Sequence, residues 1–258
     1  MKILIVGDIF SKLGRESFER NLKKIREEHK IHFIIVNGEN TTHGRGLNEK
    51  HFKWFLSLGV HVITLGNHSY HNKTILEFID TTPNLIRPYN FPDDAPGKGI
   101  TTINYNGMKI TVFQMIGMVF MAEGNFSPFE KTEELLQKYP SDLYICDFHA
   151  EATSEKIAFG HYFDGRIQII FGTHTHVPTH DARLLPKGSA YITDVGMTGP
   201  LDGIIGMKKE IIINRYLHQS KAIFTPENEG KSQFNAVLVE VDDKTYRPLS
   251  IKSIQIID

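Results

Sequence analysis

The sequence predicts an α/β fold, and three observations predict it. Short apolar runs at residues 3–6, 33–36 and 60–65 alternate with stretches of helical periodicity, the order that builds a largely parallel sheet. The first two runs are apolar throughout, as strands covered on both faces are. Each run is followed by glycine and an oxygen or nitrogen donor, so polar residues collect where open α/β sheets bind ligands, at the carboxyl ends of their strands.

In chain order, residues 3–6 form the first strand, with Gly7-Asp8 at its end. Phe18, Leu22 and Ile25 recur at helical spacing among charges, which predicts an amphipathic helix over 15–28. Residues 33–36 make the second strand, closed by Gly38-Glu39-Asn40. Gly44 and Gly46 mark 41–47 as a loop, and Asn48 is the expected N-cap of a helix through 58. Residues 60–65 form the third strand, closed by Gly66-Asn67-His68, and a helix is expected over 72–79. Pro83, Pro88, Pro92 and Pro96 make 81–98 irregular. Runs 100–105 and 108–114 flank Asn106-Gly107, residues that tolerate the positive φ of a type I′ turn, so a hairpin adds antiparallel strands.

Ser127-Pro128-Phe129-Glu130 has the capping-box order with proline in the first turn, opening a helix to about residue 139. A strand over 143–148 ends at His149. A helix over 154–163 and the Asp164-Gly165 turn then lead to Ile167, Ile169 and Ile170, and to Phe171-Gly172-Thr173-His174-Thr175-His176. The remainder reads as short strands, one helix near 207–217 and two strands at 235–241 and 249–257.

With 258 residues, 40% hydrophobic and 23% charged, the chain can bury a sizeable core, and one domain over 1–258 is expected. A formal net charge of -1 exerts no global pull on nucleic acid or an anionic membrane. No stable nucleic-acid binding is therefore expected, and an anionic substrate must be held by local charge. The single cysteine, Cys146, lies inside the apolar run 143–148, which excludes a disulfide framework and fits a reducing cytoplasm. The start of the chain is too short for a signal-peptide core or a span, so a cytoplasmic, membrane-free protein is expected. The composition leaves a homo-oligomer open.

The strand-end donors are Asp8, Glu39, Asn40, Asn67, His68, His149, His174 and His176. Any one of them alone reads as a cap or turn residue. Five strand ends closing this way together point instead to a site. Carboxylate, amide and imidazole donors without thiolates suit borderline divalent metals such as Mn, Fe or Zn, and the donors are too many for one ion, so two are expected. His174 and His176, one residue apart, project to the same side if the backbone stays extended and then reach one metal or two neighbouring ones.

In order and spacing, Gly7-Asp8, Gly38-Glu39-Asn40, Gly66-Asn67-His68, His149 and Gly172-Thr173-His174-Thr175-His176 resemble the motifs of the calcineurin-like metallophosphoesterases. Phe10 stands where most of that superfamily has histidine, and Glu39-Asn40 replaces its usual aspartate. Both departures are typical of the YmdB-like bacterial 2′,3′-cyclic-nucleotide phosphodiesterases, whose signature the stretch 190–200 also resembles. The resemblance covers essentially the whole chain.

It implies a four-layer αββα sandwich with mixed central sheets and a site of two divalent metal ions, iron or manganese ahead of zinc. Asp8 and His176 would hold the first ion with Asn40 close by, Glu39 would bridge, and Asn67, His149 and His174 would hold the second. His68 would stay unligated as the general acid. Two such ions roughly 3.5–4 Å apart supply hydroxide at neutral pH and clamp phosphoryl oxygens. The implied reaction is hydrolysis of a small phosphodiester such as a 2′,3′-cyclic nucleotide, with a regulatory role left open. The rival readings are a general phosphomonoesterase or nuclease, and a metal-binding regulatory protein with weak catalysis. Among the other histidines, His29, His32, His51, His61 and His218 read as solvated, whereas His71 and His180 are candidates for the pocket lining.

Overall fold

The computed structural model describes residues 1–122, 126–218 and 223–258. Its elements are β1 (Lys2–Val6), β2 (Asp8–Ile9), α1 (Ser11–His29), β3 (Phe33–Asn37), α2 (Glu49–Ser57), β4 (Val62–Thr64) and β5 (Leu85–Ile86). There follow β6 (Ile100–Tyr105), β7 (Met108–Ile116), α3 (Pro128–Lys138), β8 (Leu143–His149), α4 (Thr153–Tyr162) and β9 (Ile169–Thr173). The chain closes with β10 (Arg183–Leu184), β11 (Ala190–Ile192), β12 (Met197–Pro200), α5 (Lys209–His218), β13 (Ser232–Val241) and β14 (Pro248–Ile257).

Two mixed sheets result. One runs β2-β12-β13-β1-β3-β4-β5 with β14 on β13, and the other runs β10-β11-β9-β8-β7-β6. The strands that carry donors are parallel within each sheet, β1, β3 and β4 in the first and β8 and β9 in the second, so their carboxyl ends lie together. Alternation along the strands sets the layers. Ile3, Ile5, Phe33 and Ile35 face Ile110, Ile145, Ile169 and Phe171 of the second sheet. Leu4, Val6, Ile34 and Val36 face the other way, onto Phe18 and Leu22 of α1 and Phe52 and Phe55 of α2. On the outer face of the second sheet, Phe113, Cys146, Phe148 and Ile170 meet Leu135 of α3 and Phe159 of α4. The four layers expected from the resemblance are therefore present. Each of these buried side chains contributes roughly 1.5–3 kcal/mol of transfer free energy.

The local signals hold at the caps and at the hairpin. Asn48 accepts from the His51 amide at 2.9 Å, and Ser127 accepts from that of Glu130 at 3.3 Å. Asn106 and Gly107 take φ of 50° and 89°, as the type I′ turn requires. The expected helix over 72–79 is instead two 3₁₀ turns, Lys73–Glu77 and Ile79–Thr81. Ile75, Phe78 and Ile79 still face inward, and the break falls at Phe78, between the two turns. The proline-bearing segment is irregular apart from β5, yet it is braced. The buried Arg87 guanidinium donates to the carbonyls of Pro88 (2.7 Å) and Ala95 (3.2 Å), and Asn90 exchanges 2.8 Å bonds with the backbone of Ile116. Among the described residues, no helix is long and apolar enough to cross a membrane.

Candidate metal centre

All eight strand-end donors gather at one rim, contributed by both sheets. Asp8, Glu39, Asn40 and His149 are fully buried there. Around His149 Nε2 stand Asn67 Oδ1 at 2.9 Å, His174 Nδ1 at 3.1 Å and Glu39 Oε1 at 3.3 Å. A second group lies beside it. His176 Nε2 is 3.1 Å from the Asn40 amide nitrogen and 3.6 Å from Asp8 Oδ1, and the same Asn40 nitrogen reaches Glu39 Oε1 at 3.2 Å. Glu39 thus stands between the two groups.

Each of the three histidines has its outward ring nitrogen facing an oxygen, which turns the other nitrogen inward. Nδ1 of His149 lies 2.8 Å from Thr173 Oγ1, Nε2 of His174 lies 3.3 Å from a Glu151 carboxylate oxygen, and Nδ1 of His176 donates to the Ile205 carbonyl at 2.9 Å. Second partners of this kind fix the tautomer of metal-binding imidazoles. Beneath His149, Thr173 donates to buried Asp147 at 2.6 Å, and Gln114 donates to the other carboxylate oxygen at 2.8 Å. Burial pushes the Asp147 carboxyl up to about 6.

The electrostatics fit a cation. Burial opposes charge on Glu39, but the adjoining His149 and His68 outweigh it and hold that carboxyl well below the usual range. Burial likewise opposes a proton on His149, yet Glu39, Asp8 and Asp147 push its pKa up to about 9. His176 is raised in the same way, burial being outweighed by Asp8. Two buried carboxylates therefore recruit protons onto two imidazoles. One N–H on His149 cannot serve three polar neighbours within 3.3 Å, whereas a cation among them can. Glu39, His149 and His174 each offer one donor atom, all within 4.8 Å of one another.

The paired histidines do not arrive on an extended backbone. His174 and His176 take φ of 99° and 66°, so the chain fans them apart, His174 to His149 and His176 to Asp8. Left-handed non-glycine residues cost of order 1–3 kcal/mol each and persist only where neighbours enforce them. Asp194 does so here, accepting from the Thr175 amide (3.2 Å) and hydroxyl (2.8 Å) and from Lys156 Nζ (2.6 Å), which also donates to the Thr173 carbonyl (2.8 Å). Lys156 and Asp194 side chains are 2% and 0% exposed, an ion pair sealed behind the loop. Lys156→Met leaves that carboxylate without its cation. A loss of about 3–5 kcal/mol is expected, read from the urea midpoint, and an unchanged midpoint would remove the pair's role in the loop.

His68 stands outside both donor groups. Its backbone amide donates to Glu39 Oε2 at 2.8 Å and its Nδ1 lies 2.8 Å from Asn40 Oδ1, and Nε2 has no hydrogen-bond partner among the described residues. Phe10, in the superfamily's histidine position, packs edge-on against the His176 ring at 5.6 Å and buttresses it. Gly66 permits the close approach, because a Cβ there would collide with Glu39 and His149. His71 is exposed beside His68, with ring centroids 4.6 Å apart. His180 is exposed and is not among the hydrogen-bonding partners of the donor groups in the described residues. His51 and His61 are not solvated as expected. His51 bonds Thr42 at 2.8 Å, and burial with nearby Arg15 pushes it down to about 4. His61 stacks on Phe33 at 4.5 Å while its Nδ1 accepts from the Ile34 amide. Asp147, Lys156 and Glu151 were not singled out from sequence. Lys156 alone left a trace, a charge on the buried face of α4 beside Phe159 and Gly160.

Two helix-flanked mixed sheets with carboxylate, amide and imidazole donors converging at their strand ends define a calcineurin-like metallophosphoesterase. Within that class the chain belongs to the YmdB-like protein family, whose profile matches residues 4–254. It is 46% identical over 260 residues to the 2′,3′-cyclic-nucleotide 2′-phosphodiesterase of Bacillus subtilis strain 168, covering 100% of this chain and 98% of that protein. A crystal structure titled as a novel phosphatase of Mycoplasma pneumoniae superposes with a TM-score of 0.95 at 39% identity, covering 100% of this chain and 93% of that one. A hypothetical protein from Thermus thermophilus superposes with a TM-score of 0.94 at 36% identity, covering 100% of both chains.

Proposed function

We propose that the chain is a phosphodiesterase acting on 2′,3′-cyclic nucleotides, with Asp8, Glu39, Asn40, Asn67, His149, His174 and His176 holding two divalent ions, iron or manganese first. The observation that carries this reading is the convergence of two donor groups through one buried carboxylate, Glu39. When bound, two such ions polarise phosphoryl oxygens and lower the pKa of water. The rest falls to the chain. Asn40 orients His68, accepting from its Nδ1 and so directing Nε2 outward to protonate the departing ribose oxygen. Burial lowers the His68 pKa despite Glu39, so its imidazolium gives up a proton more readily but is less populated at neutral pH. Glu39 also fixes the turn that carries His68, through the 2.8 Å bond from the His68 amide.

The test is turnover of 2′,3′-cyclic AMP by metal-loaded protein. Chelation is expected to abolish it, and Mn or Fe to restore it better than Mg, because imidazole donors disfavour a hard, strongly hydrated ion. Rescue by Mg alone would overturn the ion assignment. Tight metal binding without turnover of the cyclic nucleotide would favour a regulatory metal protein instead.

A further inference from the structure

A cavity of about 540 Å³ opens beside the donor groups, lined by Asn67, Tyr70, His71, Lys73, Phe91 and Ala95. Asn67 belongs to both. Its Oδ1 faces His149 at 2.9 Å inside the site, while the residue forms one side of the cavity mouth. His71 continues that mouth, its ring set edge-on against His68. A phosphoryl group at the donor rim therefore has its substituents beside this opening.

The walls are apolar and aromatic. Phe91 is buried against Ile116 and Met121, with the Tyr70 ring 6.1 Å away, so the two rings border one space. The walls are also fixed in place. Tyr70 donates its hydroxyl to the Pro96 carbonyl at 2.6 Å, and Arg87 spans the Pro88 and Ala95 carbonyls of the same segment. A preformed pocket of this size, walled by aromatic faces with a few polar groups at its mouth, suits a flat heterocycle bearing a polar tail. Asn67, His71 and Lys73 supply the polar edge.

We propose that this cavity is the nucleoside subsite, in which the base lies against the wall that Tyr70 and Phe91 form together while the cyclic phosphate lies at the donor rim. The proposal rests on the phosphodiesterase reading and adds its source of specificity. Recognition by stacking tolerates every base and favours the larger π-surface, so purine cyclic nucleotides bind ahead of pyrimidine ones.

The experiment compares 2′,3′-cyclic AMP with glycerol 1,2-cyclic phosphate, which has the strained ester but no base, in the wild type, Ala95→Trp and Phe91→Leu. Filling the space with Ala95→Trp is expected to lower the ratio of kcat/KM for the nucleotide over the baseless ester by about tenfold or more, chiefly through KM. Phe91→Leu keeps an apolar side chain in the buried cluster while removing the π face, and should shift the ratio the same way by a smaller factor. Adenosine binding by calorimetry, which needs no turnover, should weaken in both variants. An unchanged ratio with unchanged adenosine binding overturns the subsite, as does an equal loss on both esters. If the wild type turns over neither ester, the phosphodiesterase reading has failed. Adenosine binding then judges the cavity separately.

Discussion

Glu39→Gln is expected to lower kcat/KM on 2′,3′-cyclic AMP by on the order of a thousandfold or more and to reduce bound metal, whereas His71→Ala costs about tenfold or less. The replacement keeps the shape and removes the charge. Glu39 is the carboxylate shared by both donor groups, and it is held ionised by His149 and His68. A neutral amide in its place turns an N–H toward His149 or toward Asn40, two donors already, and leaves the buried histidine without its counter-charge. His71 meets the site from outside, edge-on against the His68 ring. Metal analysis alongside the kinetics checks this, and equal losses in the two variants would argue against Glu39 as the bridge.

His68→Ala separates the two roles that an active-site imidazole can have. As the donor of a proton to a departing ribose alkoxide, His68 contributes roughly a hundredfold or more, and its removal should cost that on a cyclic nucleotide. On an aryl phosphodiester the nitrophenolate leaves with its charge unaided, so the same variant should lose far less. Metal binding should largely remain, because His68 is not among the donors and its closest bond to Glu39, from the backbone amide at 2.8 Å, is kept by alanine, although the imidazole contact with Asn40 is lost. A rate loss independent of leaving-group pKa, or a loss of metal, would return His68 to a packing role in the turn.

Much of the site was legible because parallel strands signal their ends. Apolar runs that stop at Gly7-Asp8, Gly38-Glu39-Asn40 and Gly66-Asn67-His68 place their donors without any tertiary information. What failed depended on partners distant in sequence. The fan of His174 and His176 is imposed by Asp194 and Lys156, and no local pattern announces that pair. Strands of two to four residues, such as β2, β5 and β12, are too short for a period to register and exist because a neighbour completes them. His51 and His61, at helix or strand-flanking positions, read as solvated, yet Thr42 and Phe33 hold them. The proline-bearing segment reads as a surface connection, and the bonds of Arg87, Asn90 and Tyr70 are what make it the wall of a cavity.

The donors come from both sheets and from chain positions as distant as Asp8 and His176, and this bears on the order of events in folding. Asp8, Glu39 and Asn67 are delivered by the first sheet, His149 and His174 by the second, so neither sheet alone completes the cluster. Contacts of such sequence separation close late, after the intervening loop entropy has been overcome. Ions held by this cluster would then stabilise the native state without lowering the barrier to reaching it. Loading the site would be expected to slow unfolding and leave the folding rate nearly unchanged, the behaviour of a late latch on two sheets already docked.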